Sequence, residues 1–214
     1  MIRVLIADDE TLMRAGIRLI LENDDRIRIA AEAQNAPEAV EACRAHLVDV
    51  ALLDIRMPGD GIAAVTEIAR HSPHTRTVML TAFGDETTVT NALRAGAHGY
   101  LLKDTGPHAL IDAVHRAAAG EPVLAPQVTR QLLDFRTRSG HSGDAASRRT
   151  AGLTPTERDV LRLLGTGLSN AEIAAQLHLS NGTVKAHISN ILTRTSCTNR
   201  VQAAVLAQEA GLLG

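Results

Sequence analysis

The chain has 214 residues, 45% of them hydrophobic and only 1% aromatic. That composition fits two small domains with cores of Leu, Ile, Val and Ala, and it excludes a globally disordered chain. No apolar run reaches the ~18 residues of a membrane span, and Met1–Leu5 enters a strand-like segment with no cleavage pattern of a secretory leader. The net charge of −2 hides an asymmetry. Residues 1–120 carry 12 Lys/Arg against 17 Asp/Glu, residues 121–152 carry 5 against 3, and residues 153–214 carry 5 against 4. The last segment is so faintly basic that charge alone does not nominate it for nucleic acid. Cys43 and Cys197 fit no metal spacing, and they predict small buried side chains in a reducing, cytoplasmic setting.

In chain order, Arg3–Ala7, Ile27–Ala31, Val48–Leu53, Thr77–Leu80 and Gly99–Leu102 are apolar runs of strand length. Between and after them, Leu12–Leu21, Pro37–His46, Ile62–Arg70, Glu86–Ala95 and Pro107–Ala119 have helical spacing. Near-continuous apolar strands alternating with helices predict a doubly wound, five-stranded parallel sheet covered on both faces, occupying residues 1–120. In that architecture a site forms at the carboxyl ends of the strands. Residues 121–152 read as a linker, with a short helix over 126–135 and a Ser-, Gly- and charge-rich stretch from 136 to 152 that lacks an apolar period.

From residue 153 onward strand patterns give way to helices, and a four-helix all-α domain is expected over 153–214. Thr154-Pro155-Thr156-Glu157 is a capping box opening a helix that ends at Gly165 or Gly167. Ser169 caps a helix over Ala171–Leu177, and a tight turn at His178-Leu179 follows. Ser180 caps a third helix running to about Thr195, and Asn199 caps a fourth, Val201–Ala210, which stops at Gly211.

Five polar residues fall at strand ends. Asp8 and Asp9 follow the first apolar run, Asp54 the third, Thr81 the fourth and Lys103 the fifth. In a regular strand Asp8 and Asp9 face opposite ways, so they share a site only because the strand ends there. Three carboxylates together require a raised pKa or a cation, and a hard divalent ion, Mg²⁺ or Mn²⁺, suits oxygen ligands. Asp54 would then attack a phosphoryl group, with the cation and Lys103 neutralising the phosphoryl oxygens and the Thr81 hydroxyl donating to one of them. Singly, each residue has a plain structural explanation: a helix cap, a solvated lysine, a strand threonine. The five together do not.

The segments Val4-Leu5-Ile6-Ala7-Asp8-Asp9-Glu10, Leu52-Leu53-Asp54-Ile55-Arg56-Met57-Pro58-Gly59, Leu80-Thr81-Ala82 and Gly99-Tyr100-Leu101-Leu102-Lys103-Asp104 resemble the receiver domains of two-component systems. The resemblance implies that Asp54 is the phosphoacceptor. It implies Mg²⁺ held by Asp9, Asp54 and the Arg56 backbone carbonyl, with Asp8 acting through water, and a switch pair of Thr81 and Tyr100. The loop Met57-Pro58-Gly59-Asp60-Gly61-Ile62 is one residue shorter than the family pattern, beside the phosphorylation site. A phosphatase of the haloacid-dehalogenase type also uses a strand-end Asp. It needs a second Asp two residues later, however, where this chain has Arg56.

In the third helix of the C-terminal domain, Val184, Ile188 and Ile191 form one apolar stripe. Lys185, Ala186, Ser189 and Thr193 lie opposite, with Asn190 on the flank, which suits a helix entering a major groove. Thr183, Ser180 and Arg194 are candidates for phosphate contacts. A solvated face of an ordinary helical unit would look similar. The runs 153–158, 167–174 and 183–192 resemble the LuxR-type helix-turn-helix, and the whole chain resembles a NarL/FixJ-type response regulator. That resemblance implies a sensor histidine kinase and promoter DNA as partners, with a homodimer in the phosphorylated state. It also implies a dimer contact on Val201–Ala210. Asn181-Gly182 and Thr195-Ser196-Cys197 depart from the family's usual residues. The competing interpretation is a protein whose receiver only dimerises, without phosphorylation.

Overall fold

A computed structural model describes residues 1–82, 86–121, 123–124 and 143–213. The chain divides into two compact units, Met1–Val128 and Thr129–Gly214.

The first unit alternates strand and helix: β1 (Ile2–Ala7), α1 (Thr11–Leu21), β2 (Ile27–Ala33), α2 (Ala36–Ala45), β3 (Val50–Asp54), α3 (Gly61–His71), β4 (Arg76–Thr81), α4 (Glu86–Arg94), β5 (Gly99–Leu102), α5 (Pro107–Ala118) and β6 (Val123–Leu124). All strand pairs are parallel, in the order β2-β1-β3-β4-β5-β6. Every residue of β3 is buried, as a central strand covered on both faces requires. Val4, Ile6, Val50, Leu52, Val78 and Leu80 form one core with Ile17 and Leu21 of α1 and Leu110 and Val114 of α5. The alternate residues, such as Leu5, Ala51, Leu53 and Met79, are equally buried and belong to the opposite face. The five expected strands are present. A sixth, of two residues, lies on the free edge of β5, where Val123 is buried. A two-residue run carries no readable period, which is why the sequence pattern stops at five.

The second unit is helical: α6 (Gly143–Thr150), α7 (Pro155–Gly165), α8 (Asn170–Leu177), α9 (Asn181–Thr195) and α10 (Arg200–Glu209). Its core joins Val160, Leu161 and Leu164 to Ile173, Val184, Ile188, Ile191, Ala203 and Leu206. The caps are those expected. Thr154 with Glu157 and Ser169 with Glu172 form complete capping boxes. The Ser180 hydroxyl accepts from the Thr183 N–H, and Asn199 accepts from the N–H groups of Val201 and Gln202. His178 takes the left-handed conformation that turns α8 toward α9.

One expectation is corrected. The stretch 143–150, assigned from its composition to the linker, is the helix α6. Its sequence is mostly polar, so its order comes from docking. Ala146 and Thr150 are buried, and the Arg149 guanidinium donates to the Thr195 carbonyl at 2.6 Å from Nη2 and 3.0 Å from Nε. The short helix expected over 126–135, with the rest of 125–142, lies outside the described residues.

Candidate functional site

The pocket is built at the carboxyl ends of β1, β3, β4 and β5. Parallel register sets those ends level: Asp54 pairs with Leu80, and Thr81 pairs with Leu102. The Lys103 N–H donates to the Thr81 carbonyl at 2.7 Å, so the lysine leaves its strand beside the threonine. Asp8 and Asp54 are withdrawn from water at 0% and 4% exposure, and Thr81 is buried at 2%. Lys103 Nζ lies 2.7 Å from Asp8 Oδ2 and 3.2 Å from Asp54 Oδ1, with Glu10 Oε1 farther off at 3.7 Å. Asp9 and Arg56 are exposed at the rim.

The charge state follows from this packing. Burial pushes the Asp54 carboxyl above its ordinary range; the nearby Lys103 opposes that rise and Asp8 adds to it. Burial pulls the Lys103 ammonium down, but its hydrogen bond to Asp8 and the charges of Asp54 and Asp8 outweigh burial and leave it raised. One lysine balances only part of the negative charge. One carboxylate oxygen from each of Asp8, Asp9 and Asp54 lies within 4.8 Å of the other two. This hard, all-oxygen donor set fits a divalent cation.

Two residues at the site escape sequence reading. Arg14 of α1 is buried at 7% exposure, and its Nη1 donates to the Asp8 carbonyl at 2.6 Å. It shares the core-facing side of α1 with Ile17 and Leu21, a stripe position where an apolar residue is expected. That mismatch was its visible signal. The other residue is Gly61, at the start of α3. A Cβ built there would lie 2.1 Å from the Asp54 carbonyl oxygen. The loop thus seats α3 directly against the backbone of Asp54. Asp60 precedes it with φ of 66°, and its carboxylate caps α3 by accepting from Ile62 and Ala63. Tyr100, the other member of the expected switch pair, is fully buried.

In the second unit, Val184, Ile188 and Ile191 are buried, while Ser180, Thr183, Lys185, Ala186, Ser189, Asn190 and Thr193 are exposed along α9. The stripe and its opposite face are therefore as the spacing predicts. Arg194 differs from the others. Its Nη1 donates to the Gly152 carbonyl at 3.0 Å and its Nε lies 3.5 Å from Glu157 Oε1, so its cation serves the start of α7. Ser180 likewise has its hydroxyl engaged as the α9 cap. Ser196 ends α9 in the left-handed conformation, with φ of 53°. Most of α10 is buried or half-buried rather than exposed. Cys43 and Cys197 are free and buried, and burial pushes the Cys43 thiol up to about 12.

Comparison with known proteins agrees with both halves. Residues 4–115 match the response regulator receiver domain family, and residues 151–207 match the luxR family of bacterial regulatory proteins. The nitrate/nitrite response regulator protein NarL of Escherichia coli K12 is 36% identical over 204 residues, covering 94% of this chain and 93% of that protein. Among solved structures, response regulator ChrA of a heme-sensing two-component system is 34% identical, with a TM-score of 0.55 over 99% of this chain and 98% of that one. A structure of RcsB dimers bound to DNA is 25% identical, with a TM-score of 0.59 over 94% of this chain and 96% of that one. Among the described residues no helix is long and apolar enough to cross a membrane. With its acidic strand-end pocket and its helix-turn-helix, the chain belongs to the two-component response regulators that join a receiver domain to a LuxR-type DNA-binding domain.

Proposed function

We propose that Asp54 accepts a phosphoryl group from a sensor histidine kinase and that this modification controls promoter binding by α9. The observation that carries the reading is that Lys103 lies within ion-pair distance of both Asp54 and Asp8 at aligned strand ends. A carboxylate oxygen of Asp54 attacks phosphorus, and the bond from phosphorus to the donor's imidazole nitrogen breaks, its electron pair staying on that nitrogen. Lys103 and the Thr81 hydroxyl stabilise the phosphoryl oxygens. A Mg²⁺ or Mn²⁺ ion held by Asp9, Asp54 and the Arg56 backbone carbonyl would supply the remaining positive charge. Asp8 fits a role through water, because its Oδ1 already accepts from the Glu10 N–H at 2.9 Å and its Oδ2 faces Lys103.

The receiver occupies 1–120 and the DNA-binding domain 153–214, with α6 serving as an extension of the latter. Thr81 and Tyr100 form the switch, whose coupling energy belongs to the common range of about 1–3 kcal/mol. Thr183, Lys185, Ala186, Ser189 and Asn190 face the major groove, with Ser180 nearest the phosphates, and a cytoplasmic homodimer reads two half-sites. The dimers in the DNA-bound RcsB structure support that assembly. The test is a phosphate-affinity gel after incubation with acetyl phosphate and Mg²⁺. The parent chain shifts and Asp54→Asn does not. Equal labelling of both, or none of either, defeats the reading in favour of a receiver that only dimerises.

A further inference from the structure

We propose that Arg14 is a positioning residue for the paired carboxylates at the end of β1, and that it thereby sets the affinity of the pocket for its divalent cation. The proposal rests on the phosphoacceptor reading above. Consecutive strand residues point to opposite faces, yet Asp8 and Asp9 each place an oxygen in one cluster with Asp54. The peptide that joins the two aspartates must therefore be held out of the strand's regular alternation. The Asp8 carbonyl is half of that peptide, and it receives a buried, charge-assisted hydrogen bond from Arg14 Nη1 at 2.6 Å.

The arginine is itself fixed from two other directions. Its Nη2 donates to Thr11 Oγ1 at 3.3 Å, and its Nε lies 3.5 Å from Glu32 Oε2 on the neighbouring strand β2. Glu32, which also accepts from Arg18 Nε at 2.6 Å, supplies the opposing charge nearest the buried guanidinium. The remaining handles of Asp8 are also occupied: its N–H donates to the Ala33 carbonyl at 3.2 Å, and its Oδ1 accepts from the Glu10 N–H. Asp9 is exposed, and the direction of its carboxylate follows the peptide that Arg14 holds. Arg14's partners are a backbone oxygen, a hydroxyl and Glu32. It acts on the site through the backbone, not on the phosphoryl group.

The test uses the full chain and Mn²⁺ alone, with free ion followed by electron paramagnetic resonance and thermal unfolding recorded in parallel. Arg14→Met weakens Mn²⁺ binding about 10-fold, the low end for groups that orient metal ligands. Arg14→Lys, which keeps the charge but loses the fork, weakens it less. Labelling by acetyl phosphate returns toward the parent rate once metal is raised to saturation, because no reacting group is lost. Parental Mn²⁺ affinity in folded Arg14→Met overturns the proposal whatever its melting temperature, since a merely structural arginine changes stability and not the affinity of the folded fraction. Where Arg14→Met fails to fold, Arg14→Lys decides: parental affinity overturns the proposal, and weaker affinity with rescue at saturating metal supports it. A parent chain that binds no Mn²⁺ fails the phosphoacceptor reading itself, and this inference with it.

Discussion

In the receiver pocket Lys103 lies 2.7 Å from Asp8 and 3.2 Å from Asp54, and the three side chains are almost out of water. On α9 the candidate residues are exposed, and among the described residues Lys185 makes no ion pair. Buried charges of opposite sign fix one another, because each lost contact leaves a group without its solvent. Groups on an exposed helix face are fixed only by the backbone and by the partner that arrives. The side chains of the first kind of site therefore hold their arrangement through contacts with one another. The second is defined by which side of the helix the core leaves free.

Two glycines at helix starts break or sharpen this contrast. Gly61→Ala puts a methyl group against the Asp54 carbonyl oxygen, which is backbone and cannot step aside. Overpacking of this kind costs about 2–3 kcal/mol, and urea unfolding of the receiver measures it. A parental midpoint means that α3 does not press on the site. Next in size is Lys185→Ala, expected to weaken operator binding about 10-fold at fixed salt and to reduce the salt slope by about one if the lysine contacts phosphate. Unchanged affinity in a binding titration removes Lys185 from the interface. The smallest effect belongs to Gly182→Ala. At Gly182 an added Cβ would meet only Ser180 Oγ at 3.7 Å, so the alanine gains about 0.5–1 kcal/mol of helix propensity. A destabilised Gly182→Ala in thermal unfolding would show that the start of α9 is constrained like the start of α3.

The strand ends were legible because each polar residue closes an apolar run, and parallel topology then brings all of them to one edge. The helix caps were legible because Ser, Thr and Asn at the right offset have few other uses. Arg14 was harder to find, since its partner is a main-chain oxygen that no side-chain motif records. Position alone, at the end of α9, suggests a phosphate contact for Arg194, and only packing brings Glu157 and the Gly152 carbonyl to it. The helix α6 is not legible in the sequence because its docking rests on Ala146, Thr150 and one arginine donating to the Thr195 carbonyl.

What the amino-acid order by itself determined was the alternation of strand and helix, the three aspartates and the lysine at strand ends, and the free face of α9. These follow from periodicity and local chemistry, which act over a few residues. Only the tertiary structure decided that Arg14 donates to the Asp8 carbonyl, that Gly61 admits no side chain, that a sixth strand closes the edge of β5, and that residues 143–150 are helical. Each of these depends on atoms brought together from separate parts of the chain, often backbone atoms, whose identity the side-chain sequence does not encode.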